Sequence, residues 1–338
     1  MLGIELTPEH PVARVGGLAA SAEDAGFDTV FVSHHYNNRD EFVALADIAR
    51  RTDSVRLGPG ITNPYESHPV TLASRAATID EYADGRGVYG IGPGDRSTLG
   101  NLGYDHDDAL RRVLETMQVS RRLWDGDRVD HDGTFEAADA GLNYEARRLP
   151  IYVGAQGPHM TRMAAKHADG VLYNGAHPRD IEWAGDRVRE GLAERPDDSV
   201  VSNSPSHQTG IDGEFDFAAY ASVSLATTEE AAREAARPPV AFIASGAPAP
   251  VLDRHGLDED LTAEIGAAIA AGEFESAFGL VTEEMIDAFC LAGTPESTRD
   301  QFEAILSEAD SLVMGSPLGP DLDEAIELMG ELATGLDL

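Results

Sequence analysis

One carboxylate stands inside an otherwise apolar run at the start of the chain: Glu5, within Leu2-Gly-Ile-Glu-Leu6. If the run is a strand, period-two alternation puts Glu5 on the face shared with Gly3, opposite Ile4 and Leu6. With that apolar pair packed outward against helices, Glu5 points inward. Burial raises a carboxyl pKa, and an acid that keeps its proton can serve as a general acid. An equally good reading of the spacing makes Glu5 a structural acid paired with an arginine. A second carboxylate, Asp95, closes Gly90-Ile-Gly-Pro-Gly-Asp95. This run lacks the Lys-Ser/Thr ending of a P-loop and is not Gly-x-Gly-x-x-Gly, so it is a weak nucleotide fingerprint. It reads better as a flat backbone surface at Gly92 and Gly94, ended by an acid.

Other clusters have the same character. His34-His-Tyr-Asn-Asn38 is a run of hydrogen-bonding side chains where a strand meets a loop, and His35 is the candidate ligand contact. Adjacent histidines on a strand face opposite ways and no Cys or acid completes a set, so no metal is expected. Gly58-Pro-Gly-Ile-Thr62 places Gly60, Ile61 and Thr62 at a strand end, where glycine suggests close backbone approach. Gly154-Ala-Gln-Gly-Pro158 sets small residues before a proline suited to the first helical position, and bare N–H groups there can hold phosphate. Gly154 and Gln156, with Asn174 and Gly175 after the next strand, would close one pocket. Together these walls suit a flat ring with a phosphate tail.

Such residues need a frame that gathers strand ends. Short apolar runs alternate with segments of helical period, the pattern of βα units around a parallel sheet. The runs are Leu2–Leu6, Thr29–Ser33, Val55–Gly58, Gly87–Gly92, Ile151–Gly154, Gly170–Tyr173, Ala219–Leu225 and Leu312–Met314. Eight strands predict a (β/α)₈ TIM barrel of one domain, 1–338, with chemistry at the C-terminal strand ends. Insertions are expected at about 127–148, 196–216 and 246–289, with the helical stretch from Thr228 broken at Pro238-Pro239 and at Gly246–Pro250.

The composition bounds the setting. The 338 residues carry 60 Asp and Glu against 25 Lys and Arg, a formal charge of −35, and Lys166 is the single lysine. The acids are dispersed rather than gathered in a tail, which favours adaptation to high salt over a cationic partner. Phosphate would be repelled, so no nucleic-acid partner is expected. One cysteine, Cys290, allows no internal disulfide and suits a reducing cytoplasm. No signal-peptide pattern opens the chain, and no apolar run approaches a membrane span.

Taken in order, Gly3-Ile-Glu5, His35–Asn38, Leu57–Tyr65, Gly90–Asp95, Ile151–Pro158, Val240–Ala244, Arg254–Leu257 and Gly315–Pro320 resemble the coenzyme F420-dependent methylenetetrahydromethanopterin reductases of the bacterial-luciferase superfamily. The resemblance runs end to end. It implies hydride transfer from the reduced deazaflavin to the methylene bridge of a tetrahydropterin, with a homodimer or homotetramer as the assembly. It also implies that Glu5 is the proton donor, Asp95 a nearby acid that tunes it, and Gly60–Ile61 a non-prolyl cis peptide behind the deazaflavin ring. Two departures stand out. His34 takes the place of an aspartate common in the family, and 196–216 looks longer than its counterpart. Halophilic archaea without methanogenesis tend to use folate, so methylenetetrahydrofolate is the favoured carrier by analogy, with methylenetetrahydromethanopterin beside it. The alternatives are a flavin-dependent monooxygenase using FMN or FAD on the same barrel, and a non-catalytic flavin-binding protein.

The charge yields a direct test. The screening length contracts from roughly 10 Å at 0.1 M salt to about 3 Å at 1 M. The unfolding midpoint is therefore expected to climb steeply when thermal melts are run from about 0.1 M KCl into the molar range. A flat profile would remove the high-salt reading.

Overall fold

The computed structural model describes residues 1–195 and 214–336. Its strands are β1 (Leu2–Leu6), β2 (Thr29–Val32), β3 (Arg56–Pro59), β4 (Tyr89–Ile91), β5 (Val129–Asp132), β6 (Glu136–Ala140), β7 (Ile151–Ala155), β8 (Gly170–Asn174), β9 (Asp216–Leu225), β10 (Leu291–Gly293) and β11 (Ser311–Leu318). Eight of them form one parallel sheet in the order β3-β2-β1-β11-β9-β8-β7-β4. Bridges between Leu57 and Gly87 and between Thr62 and Ile91 bring β3 and β4 together and close the sheet into the expected barrel.

Alternation sorts the side chains into two layers. Ile4, Leu6, Val30 and Val32 face outward and pack under the helices. Phe31, Val88, Tyr152, Leu172, Ala218 and Val313 fill the barrel interior. A Cβ on Gly3 would lie 3.0 Å from Val313, so Gly3 and Glu5 share that interior face, as the spacing of β1 requires.

The expected insertion at 127–148 contains a hairpin of β5 and β6 outside the barrel. The segment 196–216 lies outside the described residues except for 214–216. The third, 246–289, holds the helices Ala249–His255, Glu259–Ala270, Phe274–Gly279 and Glu283–Phe289. They share a second core with the helix Glu229–Gly246, built on Val240, Leu252, Ile265 and Ile286.

Three expectations need correction. Pro238-Pro239 does not break a helix, because Glu229–Gly246 runs through both residues. Each internal proline costs about 3 kcal/mol, and burial of Ala232, Ala236, Val240, Ala241 and Ala244 along one face opposes that cost. Next, β10 and the helix Pro295–Leu306 occupy a stretch where no element was expected. Three residues are too short to show a period, and only pairing with β9 makes them a strand. Finally, β9 begins at Asp216 and β11 reaches Leu318, each longer than its apolar run, since ladder bonds rather than side chains set strand ends.

At the opposite end of the barrel from the glycine-rich strand ends, one arginine gathers several chain ends. The Arg86 guanidinium donates to the carbonyls of Ala49, Thr52, Val55 and Ala83 and to the Thr52 hydroxyl, using all three nitrogens. Arg86→Ala is expected to lower the unfolding free energy by roughly 2–4 kcal/mol, because acceptors lose their donor. Arg86→Lys should recover only part of that, since an ammonium cannot span the same fork. Chemical denaturation of the three proteins would check both.

Candidate active site

The strand ends meet around a cavity of about 230 Å³. Of the residues expected from the sequence, Gly60, Ile61, Gly94, Gly154, Gln156 and Asn174 line it. Gly175 lines a smaller recess next to it, shared with Gln156 and Asn174.

The wall is shaped by what glycine leaves out. The Gly60–Ile61 peptide is cis, as the resemblance implies. The Ile61 side chain fills the space in front of two glycines: a Cβ would sit 1.9 Å from its Cδ1 at Gly92 and 2.8 Å from it at Gly154. Gly92 thus packs behind Ile61 rather than opening onto the cavity. Thr62 is buried and joins β3 to β4, its N–H donating to Gly90 and its carbonyl accepting from Gly92. The wall formed by Ile61 over these glycines is a surface that a planar ring can approach.

Glu5 lies on the interior face of β1 with 4% of its surface exposed. Thr7 Oγ1 donates to its Oε1 at 2.9 Å, and the Ser316 N–H donates to its Oε2 at 3.0 Å. That N–H is available because the β11 register shifts between Gly315 and Leu318. No Arg, Lys or His stands within ion-pair distance among the described residues, so the arginine-paired reading is not realised. Burial is the main cause that raises the carboxyl pKa above its usual value. Hydrogen bonds from Ser33, Ser316 and Thr7 pull it back, and the charge of Glu9 adds to the rise.

Asp95 stands at the start of a short helix. It caps the short helix Arg96–Asn101, its Oδ1 accepting from the Thr98 N–H and the Thr98 hydroxyl, both at 2.7 Å. The carboxylate that acts on Glu5 is Glu9, and tuning by Asp95 has no counterpart among the interactions found for Glu5. A short polar side chain before a helix start is a capping signal, and it is legible in the sequence. His35 joins the same network through Nε2, 3.0 Å from Thr98 Oγ1, and its ring stacks on Tyr36.

His34 turns the other way. Its Nδ1 lies 2.8 Å from Glu41 and its Nε2 3.1 Å from Glu66, which also accepts from Asn63. Burial alone would lower its pKa, yet the two carboxylates carry it up to about 9. His34 is therefore an imidazolium tying the end of β2 to the Asn63–Glu66 loop. The acids missing from its neighbourhood in the sequence arrive from seven and 32 residues away.

Two residues missed by the sequence reading complete the frame. Tyr220 lines the cavity, and its hydroxyl donates to the Gly60 carbonyl at 3.1 Å. Alternation in Ala218-Ala-Tyr-Ala-Ser222 would have placed this polar-tipped ring inward. His106 donates from Nε2 to the carbonyls of Pro93 and Gly94, and its ring stacks on Tyr65. Farther out, Asp180 binds Arg254 and holds His255 at 2.8 Å, which fastens the extra helices beside β8 and accounts for the Arg254–Leu257 block.

The sequence profile described as luciferase-like monooxygenase matches residues 2–310. The chain belongs to that family. It is 38% identical over 336 residues to a 5,10-methylenetetrahydromethanopterin reductase of Archaeoglobus fulgidus, covering 97% of each chain. It is 37% identical to the corresponding protein of Methanolobus tindarius, covering 98% of this chain and 99% of that one. Among solved structures, the coenzyme F420-dependent tetrahydromethanopterin reductase from Methanopyrus kandleri superimposes with a TM-score of 0.88 at 36% identity, covering 99% and 98%.

The imidazolium of His34 gives a pH signature for stability. Its folded pKa of about 9 exceeds the ordinary histidine value of 6.5. Its contribution is thus whole below about pH 6.5 and lost as pH rises through about 9. The wild-type midpoint should fall more steeply over this range than that of His34→Gln. Parallel curves for the two proteins would exclude the ion-pair account.

Proposed function

We propose that this luciferase-family chain is a coenzyme F420-dependent reductase that converts a 5,10-methylenetetrahydropterin to its 5-methyl form. The observation that carries the reading is Glu5, a buried carboxyl with raised pKa and, among the described residues, no cation beside it. The relatives that match over nearly the whole chain are named for this reaction, and this supports F420 over the FMN or FAD of a monooxygenase. The cavity suits a planar ring: Ile61 is seated against Gly92 and Gly154, where no further side chain fits, and lines the cavity with Gly60 and Gly94. Reduced F420, when bound there, would be the source of the hydride.

The remaining work falls to the chain. Gly60, Ile61, Gly94 and Gly154 would hold the ring, and Gln156 and Asn174 would hydrogen-bond the ligand. As the methylene carbon gains the hydride, its bond to one pterin nitrogen breaks and leaves an electron pair there. Glu5 would deliver the proton to that nitrogen. Its raised pKa keeps the proton in place at higher pH than an ordinary glutamate could. Activity should therefore fall as pH rises through the pKa of Glu5. Asp95 would act indirectly, holding the Pro93–Gly94 turn through its helix cap.

We read the chain as one barrel domain with insertions, working in a high-salt cytoplasm as a homo-oligomer. The −35 charge supports the salt reading, and no described helix is long and apolar enough to cross a membrane. The names of the relatives favour the methanopterin carrier, whereas the charge had pointed by analogy to folate. Comparing kcat/KM for the two methylene substrates decides between them, and equal values would show that the carrier's tail is not read.

Glutamine keeps the shape of Glu5 and cannot donate its proton. General acid catalysis contributes typically 10²–10⁴-fold. Glu5→Gln is expected to lower kcat by about that range with little change in F420 affinity. Stability should hold or rise, since a buried carboxyl is removed and no cation is orphaned. An active but unstable variant would end the assignment.

A further inference from the structure

Tyr220 is drawn into no step of the reaction above, yet it stands where the parts of the site converge. It comes from β9, on the far side of the barrel interior from Gly60 in sequence and in sheet order. Its hydroxyl crosses the interior to donate to the Gly60 carbonyl at 3.1 Å, and its side chain forms part of the cavity lining. Glu5 is not in that lining. The two meet beside Gly315 on β11: a Cβ built there would lie 3.3 Å from the Tyr220 ring edge and 3.7 Å from Glu5 Oε2. The ring and the carboxyl thus both border Gly315.

We propose that Tyr220 is a positioning residue with two separable parts: its hydroxyl anchors the Gly60–Ile61 wall, and its ring limits the water that reaches Glu5. The first part follows from the hydrogen bond. Ile61 is the side chain packed across Gly92 and Gly154, so the setting of the Gly60 peptide decides how the wall meets a ring. The second follows from adjacency. Thr7, Ser33 and the Ser316 N–H face Glu5, and among the described residues Glu9 is the charged group that acts on it. None of these is a cation, so exclusion of water carries the burden of keeping the carboxyl protonated. The Tyr220 hydroxyl is itself held neutral by burial, and so remains a donor.

The inference rests on the reading of Glu5 as proton donor and of the cavity as the F420 site, and the experiment separates the two levels. Binding of F420 to the unmodified protein is measured first, by its fluorescence. No binding would overturn the functional reading itself. Given binding, Tyr220→Phe keeps the ring and loses the anchor. It is expected to weaken F420 binding about three- to tenfold, the loss typical of one hydrogen bond. The high-pH limb of the kcat profile should stay where it is. Tyr220→Ala loses both parts, and its high-pH limb should move to lower pH as water reaches Glu5. Should this variant not fold, Tyr220→Leu keeps an apolar body with less cover and should move the limb in the same direction. A role in packing alone would lower the melting temperature and leave both F420 affinity and the pH limb in place. Phe binding F420 as tightly as wild type overturns the anchor. An unmoved limb in the folded truncation overturns the screen.

Discussion

A carboxyl group removed from water without a cation beside it loses hydration that hydrogen bonds restore only in part. Glu5 is in this condition, and much of the nearby structure follows from it. The β11 bulge turns the Ser316 N–H toward Oε2, Thr7 and Ser33 supply hydroxyls, and Gly315 gives up a side chain so that Tyr220 can lie alongside. The contacts come from the ends of β1 and β2 and from β9 and β11. The carboxyl is thus a property of the closed barrel, since no single βα unit brings these partners to it.

The cavity wall obeys a steric constraint. Ile61 occupies the volume that side chains at 92 and 154 would need, so three separate strand ends must be chosen together. The loops that follow are then pinned by aromatic and cationic groups. Tyr65 lies between the ring of His106 and the guanidinium of Arg112, while His106 reaches the Pro93 and Gly94 carbonyls. His34, fixed between Glu41 and Glu66, ties another loop to β2. The mouth is therefore a set of cross-braced turns, which suits a site that must hold two flat ligands in register.

With so few cations for its acids, the protein uses them sparingly. Arg86, Arg112, Arg121 and Arg195 spend guanidinium donors on backbone carbonyls, where a fork satisfies several acceptors at once. A lysine could not do this, and only Lys166 is present. The surface is left with an excess of carboxylates whose mutual repulsion falls with salt.

Periodicity and punctuation were enough to read the eight barrel strands, the inward face of Glu5 and the glycine-lined strand ends, because these depend on neighbours a few residues apart. The (β/α)₈ barrel and its family were legible for the same reason, carried by local blocks such as Leu57–Tyr65 and Gly90–Asp95. What stayed hidden depends on groups far apart in the chain. Whether Glu5 met an arginine or only hydroxyls was open until β11, 311 residues away, delivered Ser316. His34 could not be known as a cation before Glu41 and Glu66 closed on it. Pro238-Pro239 read as a break because local propensity forbids it, whereas the second core holds the helix together. Sequence by itself determined which residues face inward and where the turns lie. Tertiary structure decided which charges are paired and which are not, since pairing is a matter of distance in space and of exclusion from water.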